Sequence, residues 1–315
     1  MTIKAYSTYH IPVLLKEAAF YLITNPKGIY IDGTVGGGGH AEYILKNFKN
    51  LKHYVAIDQD REAIQFSQQR LQRSGGYRNV SFHHCNFSQF DMVLNELNLQ
   101  MVDGLLLDLG IAGYQIDMPE RGFSYMQSCP LDMRMNRESS LTAADILHDW
   151  AEQDLVRIFT EYGEEKKARQ IARLIIRNRQ KEPLHTSDQL KKIINQVSNR
   201  RQVIKSYARI FQALRITVND ELKQLEIFLQ KAMHFLKSGG RLVIIAYHSL
   251  EDRLVKNFFK TQTHPCICPP ELPYCVCGKK PILKIITRKP IRADEQEISA
   301  NIRARSALLR VGEKI

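Results

Sequence analysis

The stretch Ile29-Tyr30-Ile31-Asp32-Gly33-Thr34-Val35-Gly36-Gly37-Gly38-Gly39-His40 decides the fold. Its apolar start predicts a buried strand, and a helix is predicted over residues 41–48, directly after the glycines. Consecutive glycines let the backbone approach a ligand closely, and the first turn of a helix offers N–H groups that have no partner within the helix. The stretch therefore predicts a strand, a ligand-binding loop and a helix, in that order.

Three more short apolar runs follow, at residues 54–57, 80–82 and 104–107, with amphipathic segments between them. Continuous apolar strands that alternate with helices are typical of a parallel sheet covered on both faces. A helical stripe from Leu222 onward is predicted to stop at Ser238-Gly239-Gly240, because glycine is the usual residue just past a helix end. Residues 242–246 then predict one further buried strand.

The middle of the chain has a different pattern. From about residue 141 to 206 it is charged and helical, and one helix is indicated by apolar residues spaced three and four apart: Ala168, Ile171, Ala172, Ile175 and Ile176. Arg and Lys occupy the other faces of that helix. We therefore predict an α/β fold with a doubly wound sheet, formed by residues 1–137 and 217–315. An all-helical domain, residues 138–216, is inserted into it.

The charge balance favours a polyanionic partner. Lys and Arg number 45 against 33 Asp and Glu, a formal net charge of +12, which suits nucleic acid or an anionic membrane surface. No apolar run reaches the roughly 18 residues that a membrane-spanning helix needs, and the first residues do not resemble a signal peptide. We therefore expect a cytoplasmic protein with reduced thiols, no membrane association and no obligate protein partner.

A carboxylate at the end of the second predicted strand helps to identify the cofactor. Asp58 lies twenty residues after Gly38 and could accept hydrogen bonds from both hydroxyls of an adenosine ribose. Dinucleotide-binding and S-adenosylmethionine-binding folds share this pattern, and a glycine-rich turn with a surface Asp is the alternative. Asp32, placed before the glycines, would repel a pyrophosphate but could orient the ammonium of a methionine moiety. The sequence thus favours S-adenosylmethionine over a nicotinamide cofactor.

Longer blocks of the chain resemble a known family. Residues 108–134 are similar to the bacterial small-subunit rRNA cytosine-N4 methyltransferases, the MraW/RsmH family. Further blocks that carry the resemblance are His10-Ile11-Pro12-Val13-Leu14-Leu15, Tyr162-Gly163-Glu164-Glu165, Phe211-Gln212-Ala213-Leu214-Arg215, His248-Ser249-Leu250-Glu251-Asp252-Arg253 and Asn301-Ile302-Arg303-Ala304-Arg305-Ser306. The chain departs from the family where Ile111-Ala112-Gly113 replaces a Val-Ser-Ser run and where Ala246-Tyr247 replaces Ser-Phe.

This resemblance implies a class I (Rossmann-like) methyltransferase domain interrupted by a helical, RNA-binding domain. It implies S-adenosylmethionine-dependent N4-methylation of a cytidine in 16S rRNA, with the rRNA or the small ribosomal subunit as partner. The cofactor contacts that it implies are Gly38, Gly39, His40, Asp58, Phe87, Asp108 and Gln115. Phe87 could pack on adenine or could simply belong to the core.

A cytosine N4 amine is a poor nucleophile because its lone pair is delocalised into the ring. An enzyme must position the unstacked base and accept hydrogen bonds from the amine. Asp108, at the end of the fourth predicted strand, is the first candidate acceptor and His248 is the second, although a single His is often structural. Two other functions stay open at this point: a nicotinamide-dependent oxidoreductase and an RNA-binding module without activity.

Four cysteines lie close together near the end of the chain, as Cys266-Ile267-Cys268 and Cys275-Val276-Cys277. Four thiolates in tetrahedral geometry suit a structural zinc ion, and their sulfurs would then meet within roughly 4 Å of one another. The more usual zinc spacing is C-x-x-C, and reduced thiols in a loop are the alternative. A zinc ion here would have a structural role, since four protein ligands leave no open position.

Overall fold

The computed structural model describes residues 12–199, 201–269, 274 and 276–315. Within these residues seven strands form one sheet of order β3-β2-β1-β4-β5-β7-β6. The strands are β1 Ile29–Asp32, β2 His53–Asp58, β3 Val80–His84, β4 Val102–Asp108, β5 Leu236–Ala246, β6 Leu283–Ile285 and β7 Leu308–Lys314. Strands β1 to β5 are parallel, whereas β7 runs antiparallel to both of its neighbours.

This strand order confirms the predicted class I methyltransferase fold. Strands β2 and β4 flank β1 on opposite sides, so the chain reverses direction across the sheet at β1. A crevice at the carboxyl ends of the strands forms at such a switch point, and α/β proteins bind ligands there. The ends of β1 and β4 at Asp32 and Asp108 therefore lie where a ligand is expected.

Apolar side chains cover both faces of the sheet. Ile31 and Val55 pack on one face with Phe228, and Tyr30 and Tyr54 pack on the other. Successive residues of a strand point to opposite faces, so the uninterrupted apolar runs of β1 and β2 serve both cores. The helices of this part are α1 Leu15–Leu22, α2 Gly39–Asn47, α3 Arg61–Arg73, α4 Phe90–Glu96, α11 Glu221–Phe235, α12 Ser249–Thr263 and α13 Glu295–Ala300.

The helical part has a core of its own. Its helices are α5 Gly113–Asp117, α6 Ala143–Asp149, α7 Glu152–Glu161, α8 Ala168–Arg179, α9 Ser187–Val197 and α10 Val203–Asn219. By internal contacts the chain divides into Ile111–Glu221 and a second unit that contains residues 12–110 and 222–315. The helical unit thus begins before residue 138, because Phe123, Leu131 and Met133 are buried in its core.

One sequence-based expectation is wrong. The helical stripe from Leu222 does not stop at Ser238-Gly239-Gly240, since α11 ends at Phe235 and β5 begins at the next residue. The two glycines lie in β5, where the pairing with β4 shifts register between Val102 and Gly104. Gly239 has a φ of 77°, which suits such an irregularity. Among the described residues, no helix is both long and apolar enough to cross a membrane.

Candidate active site

The glycine loop after β1 is closely packed. Gly38 has a φ of 73°, and a Cβ at this residue would lie 3.0 Å from Cβ of Ser67 on α3. At Gly39, where α2 begins, a Cβ would lie 2.9 Å from Cγ of Pro12. A Cβ at Gly33 would lie only 2.6 Å from Cδ2 of Leu107. Glycine is therefore required at these three positions, and the first turn of α2 offers N–H groups to a polar ligand.

Asp58, at the end of β2, holds the loop from one side. Its Oδ2 accepts a hydrogen bond from the Gly36 N–H at 2.8 Å, and its Oδ1 accepts one from the Asp60 N–H at 2.8 Å. Burial raises the pKa of this carboxyl to about 7, partly offset by the hydrogen bonds. Each carboxylate oxygen has two lone pairs. Asp58 can therefore bind the loop and still accept hydrogen bonds from ribose hydroxyls.

Asp32, the last residue of β1, accepts a hydrogen bond from the start of the glycine loop. Its carboxyl is 1% exposed and accepts hydrogen bonds from the Thr34 N–H and the Tyr54 hydroxyl, each at 3.1 Å. Burial raises its pKa to about 6, against the opposing effect of His40. Each carboxyl oxygen of Asp32 thus has one partner in the protein, and its contact with a methionine ammonium stays a prediction.

Asp108 ends β4 beside the glycine loop. Its Oδ1 accepts a hydrogen bond from the Tyr247 hydroxyl at 2.8 Å, and its backbone N–H donates one to Oγ1 of Thr34 at 2.7 Å. Its Oδ2 lies 3.7 Å from Nδ1 of His40. Burial raises the pKa of Asp108 to about 7, and the nearby Glu251 carboxylate raises it further, whereas the Tyr247 hydrogen bond lowers it.

The buried ring of His40 lies near Asp108 but is not a cationic partner for it. His40 is 5% exposed, and its Nε2 lies 3.1 Å from the Val13 carbonyl oxygen, which can only accept. Nε2 therefore carries a proton. Burial lowers the pKa of His40, so the ring is neutral at neutral pH and contributes little to holding Asp108 in its charged form.

His248 has a clear structural role. It caps the N-terminus of α12: its Nδ1 accepts from the Glu251 N–H at 3.4 Å, and its own N–H donates to Oε2 of Glu251 at 3.3 Å. Its Nε2 lies 3.1 Å from Oε1 of the same carboxylate. Both ring nitrogens thus face Glu251, and the catalytic role of His248 stays a prediction.

The remaining residues implied as cofactor contacts are differently placed. Phe87 is 8% exposed and packs edge-on against Phe228 at 5.7 Å between ring centroids, which supports a core role. Gln115 belongs to the Ile111–Glu221 unit, where its Oε1 accepts a hydrogen bond from the Ala112 N–H at 3.0 Å. The structure therefore groups Gly38, Gly39, His40, Asp58 and Asp108 around one loop, and contact of Phe87 or Gln115 with a cofactor stays a prediction.

Tyr247 also belongs to this site, although the sequence did not predict it. Its hydroxyl supplies the hydrogen bond to Asp108, and burial beside that carboxylate raises its pKa well above the usual range, so it is a donor at any working pH. The available signal was the departure of Ala246-Tyr247 from the Ser-Phe pair of the resembling family.

The basic face predicted for the helical unit lies on α8. Ala168, Ile171 and Ile175 are buried, whereas Arg173 and Arg177 are exposed. Arg173 is 70% exposed and has only a loose ion pair, 3.8 Å from Glu152. Two other arginines of this unit are held by carboxylates: Arg134 by Asp132 and Arg215 by Glu221.

The sulfurs of Cys266, Cys268 and Cys277 all lie within 4.8 Å of one another, whereas Cys275 lies outside the described residues. The predicted metal site therefore stays a prediction at this point.

The chain is similar to known methyltransferases over nearly its whole length. The model of the MraW methylase family matches residues 7–315. A curated relative from Caldicellulosiruptor saccharolyticus, named ribosomal RNA small subunit methyltransferase H, is 48% identical over 307 residues, 97% of this chain and 99% of the relative. The protein of that name from Carboxydothermus hydrogenoformans is 48% identical over 308 residues, 97% and 98% of the two chains. A solved rRNA methylase from Streptococcus thermophilus gives a TM-score of 0.41 at 11% identity, over 96% of this chain and 93% of that chain.

Proposed function

The chain belongs to the MraW methylase family and is an S-adenosylmethionine-dependent methyltransferase, and we propose that it methylates the N4 amine of a cytidine in 16S rRNA. The observation that carries the proposal is the carboxyl of Asp108, whose pKa is about 7, at the end of β4 next to the glycine loop. A carboxylate there can accept a hydrogen bond from an amine that enters the crevice.

The residues around the loop fit the cofactor. A Cβ at Gly38 or Gly39 would collide with Ser67 or Pro12, so the glycines let the loop take this conformation, and the start of α2 offers N–H groups to a carboxylate. Asp58 has the remaining lone pairs that ribose hydroxyls need. When bound, S-adenosylmethionine supplies a methyl group that its sulfonium already activates, so the protein contributes binding and positioning.

Asp108 has two tasks in this proposal. As a carboxylate it accepts a hydrogen bond from the N4 amine, which holds the amine in place and raises the electron density on nitrogen. After transfer, the nitrogen has one proton too many, and Asp108 can take it and pass it to water. A pKa of about 7 suits both tasks, because a group with a pKa near the working pH gains and loses a proton readily.

Tyr247 is a positioning residue for Asp108. Its hydroxyl donates to Oδ1, and the remaining lone pairs of the carboxylate, foremost those of Oδ2, can accept from the substrate. The same hydrogen bond favours the charged carboxylate against the cost of burial. His248 is the weaker candidate acceptor, since its ring faces Glu251 and caps α12.

We also propose that the helical unit supplies much of the affinity for RNA. The exposed Arg169, Arg173 and Arg177 form a basic face on α8, and the chain as a whole has a net charge of +12. Phosphate contacts of this kind give affinity without sequence readout, whereas the base itself must be unstacked to reach the reactive centre. We therefore expect the protein in the cytoplasm, where such a substrate is found.

The decisive experiment is methyl transfer in vitro from S-adenosylmethionine to small subunits, and separately to naked 16S rRNA, from cells that lack this protein. Nucleoside mass spectrometry is expected to detect N4-methylcytidine with the wild-type chain and greatly reduced amounts with Asp108→Asn, which has nearly the same size. Methylation of another atom would overturn the substrate assignment. Binding of the RNA without any methyl transfer would indicate a binding module instead.

A further inference from the structure

We propose that the loop between α12 and β6 binds one zinc ion through the thiolates of Cys266, Cys268 and Cys277. These three residues lie outside the glycine loop and the Asp108 region, in the segment that links Ser249–Thr263 to Leu283–Ile285. The ion would be a structural part of the methyltransferase and would take no part in methyl transfer.

The sulfur positions fit a common ligand. Sγ of Cys277 lies 4.0 Å from Sγ of Cys266, and the sulfurs of all three cysteines lie within 4.8 Å of one another. Zn–S bonds of about 2.3 Å in a tetrahedron place sulfurs about 3.8 Å apart. A small inward movement of the cysteines would therefore bring all three into bonding distance of one ion.

A backbone hydrogen bond to sulfur supports the same assignment. The Val276 N–H points at Sγ of Cys268 at 3.3 Å. Groups that donate to a metal ligand orient it and balance its charge, and a thiolate attracts such donors more strongly than a thiol does. Lys279 and Lys280, both exposed, follow in the sequence and would offset the negative charge of a zinc–thiolate cluster.

The described apolar side chains of the loop contribute little to its order. The larger apolar side chains described in it point to solvent: Ile267 is 69% exposed, Tyr274 is 80% exposed and Val276 is 77% exposed. Its ends are tied by the Ile282 N–H to the Gln262 carbonyl at 3.1 Å and by the Thr263 hydroxyl to the Leu283 carbonyl at 3.1 Å. A segment without apolar burial gains its order from metal ligation in many small domains.

An ordered loop would also stabilise the edge of the sheet. Strand β6 directly follows the loop and pairs with β7, so it forms the last strand of the sheet, at its edge. Such short edge strands have few hydrogen bonds of their own. A zinc ion in the preceding loop would fix the approach of the chain to β6 and thus protect the edge of β7.

Two cysteines outside the loop, Cys85 and Cys129, differ from the loop cysteines in their surroundings. Cys85 is packed against a core, where burial raises the pKa of its thiol to about 11 and disfavours the thiolate. The Cys129 thiol donates to the Ser124 carbonyl oxygen at 2.9 Å, a bond that a Ser hydroxyl can replace. Cys129→Ser is therefore the matched control for serine substitutions in the loop.

The test is the metal content of the full-length protein, purified without chelators and measured by plasma mass spectrometry. We expect about one zinc per chain in the wild type and in Cys129→Ser, and almost none in the triple variant Cys266→Ser, Cys268→Ser, Cys277→Ser. Replacement with cobalt should give the visible absorption bands of tetrahedral thiolate coordination in the first two proteins only. A chelator should lower the Tm of the wild type and leave that of the triple variant unchanged.

Three outcomes would overturn the proposal. These are wild-type protein without zinc that also fails to take up cobalt, a bound iron–sulfur cluster, and a disulfide between loop cysteines in protein kept under reducing conditions. Cys275→Ser addresses the fourth ligand that the sequence predicts: we expect weaker zinc retention against a competing chelator. Unchanged retention would assign the fourth position to another group.

Discussion

Replacing Tyr247 by Phe removes one hydroxyl and with it the hydrogen bond to Oδ1 of Asp108, 2.8 Å long. A hydrogen bond to a charged group contributes about 1.5–3 kcal/mol, which corresponds to about one to two pKa units. The pKa of Asp108, about 7 in the wild type, would then rise to roughly 8–9. At pH 7 the charged fraction would fall from about one half to one tenth or less.

If the charged carboxylate is the acceptor, kcat at pH 7 should fall about five- to fifty-fold in this variant. The loss should shrink as the pH rises through the new pKa, because Asp108 becomes charged again. The assay is the pH dependence of methyl transfer to small subunits at saturating cofactor and RNA. Phe is the usual residue of the resembling family here, so the variant should fold.

Tyr54→Phe is the matched control. It removes a buried hydroxyl that donates to another carboxyl, Asp32, at 3.1 Å. We expect this control to lower the stability of the loop without moving the acid limb of the rate profile. The reasoning about Asp108 would be refuted if Tyr247→Phe lowered kcat equally at every pH, or if its acid limb coincided with that of the wild type.

The remaining predictions concern the cofactor, the RNA and stability. Asp58→Ala should weaken S-adenosylmethionine binding by about 1.5–3 kcal/mol, roughly ten- to hundredfold or slightly more, and calorimetry that finds equal affinity would remove Asp58 from the cofactor site. Charge reversal of Arg173 and Arg177 to Glu should lower the salt dependence of RNA binding by about one slope unit per lost phosphate contact, whereas Lys49→Glu in the other unit should leave it unchanged. Because burial raises the folded pKa of Asp32 from 3.8 to about 6, its contribution to stability is complete below its unfolded pKa and is lost as pH rises towards 6. Between pH 4 and 6 the free energy of unfolding of the cofactor-free wild type should therefore fall by up to about 3 kcal/mol more than that of Asp32→Asn. Equal changes of the two free energies with pH would contradict this cause.

The first four strands and the position of Asp108 were predictable because parallel strands are short apolar runs with polar residues at their ends, whereas β6 and β7 were not predicted. β1, β2, β3 and β4 each contain the run that predicted them. Tertiary contacts were not predictable in the same way. The hydrogen bond from Tyr247 to Asp108 joins the ends of neighbouring strands, and nothing in the local sequence of either strand specifies it.

The start of β5 and the start of the helical unit were misjudged for a related reason. Gly239 and Gly240 have the composition of a helix stop, but they lie within β5, at the register shift between its pairs Leu236–Val102 and Arg241–Gly104. Residues 111–137 have the composition of a loop, yet Phe123, Leu131 and Met133 are buried in the helical core. In both cases burial or pairing with distant residues outweighed the local preference.

The insertion of the helical unit between two neighbouring strands also has a consequence for the order of folding. Asp108 and Ile245 are register partners in β4 and β5, although the whole Ile111–Glu221 unit separates them in the chain. Closing so long a segment before it has structure would be slow, because the entropy of closure must be lost before any strand contact forms. The helical unit has a core of its own from local contacts, so it can form first and shorten the distance that β4 and β5 must bridge. Substitutions in that core should therefore slow the completion of a sheet to which they contribute no strand.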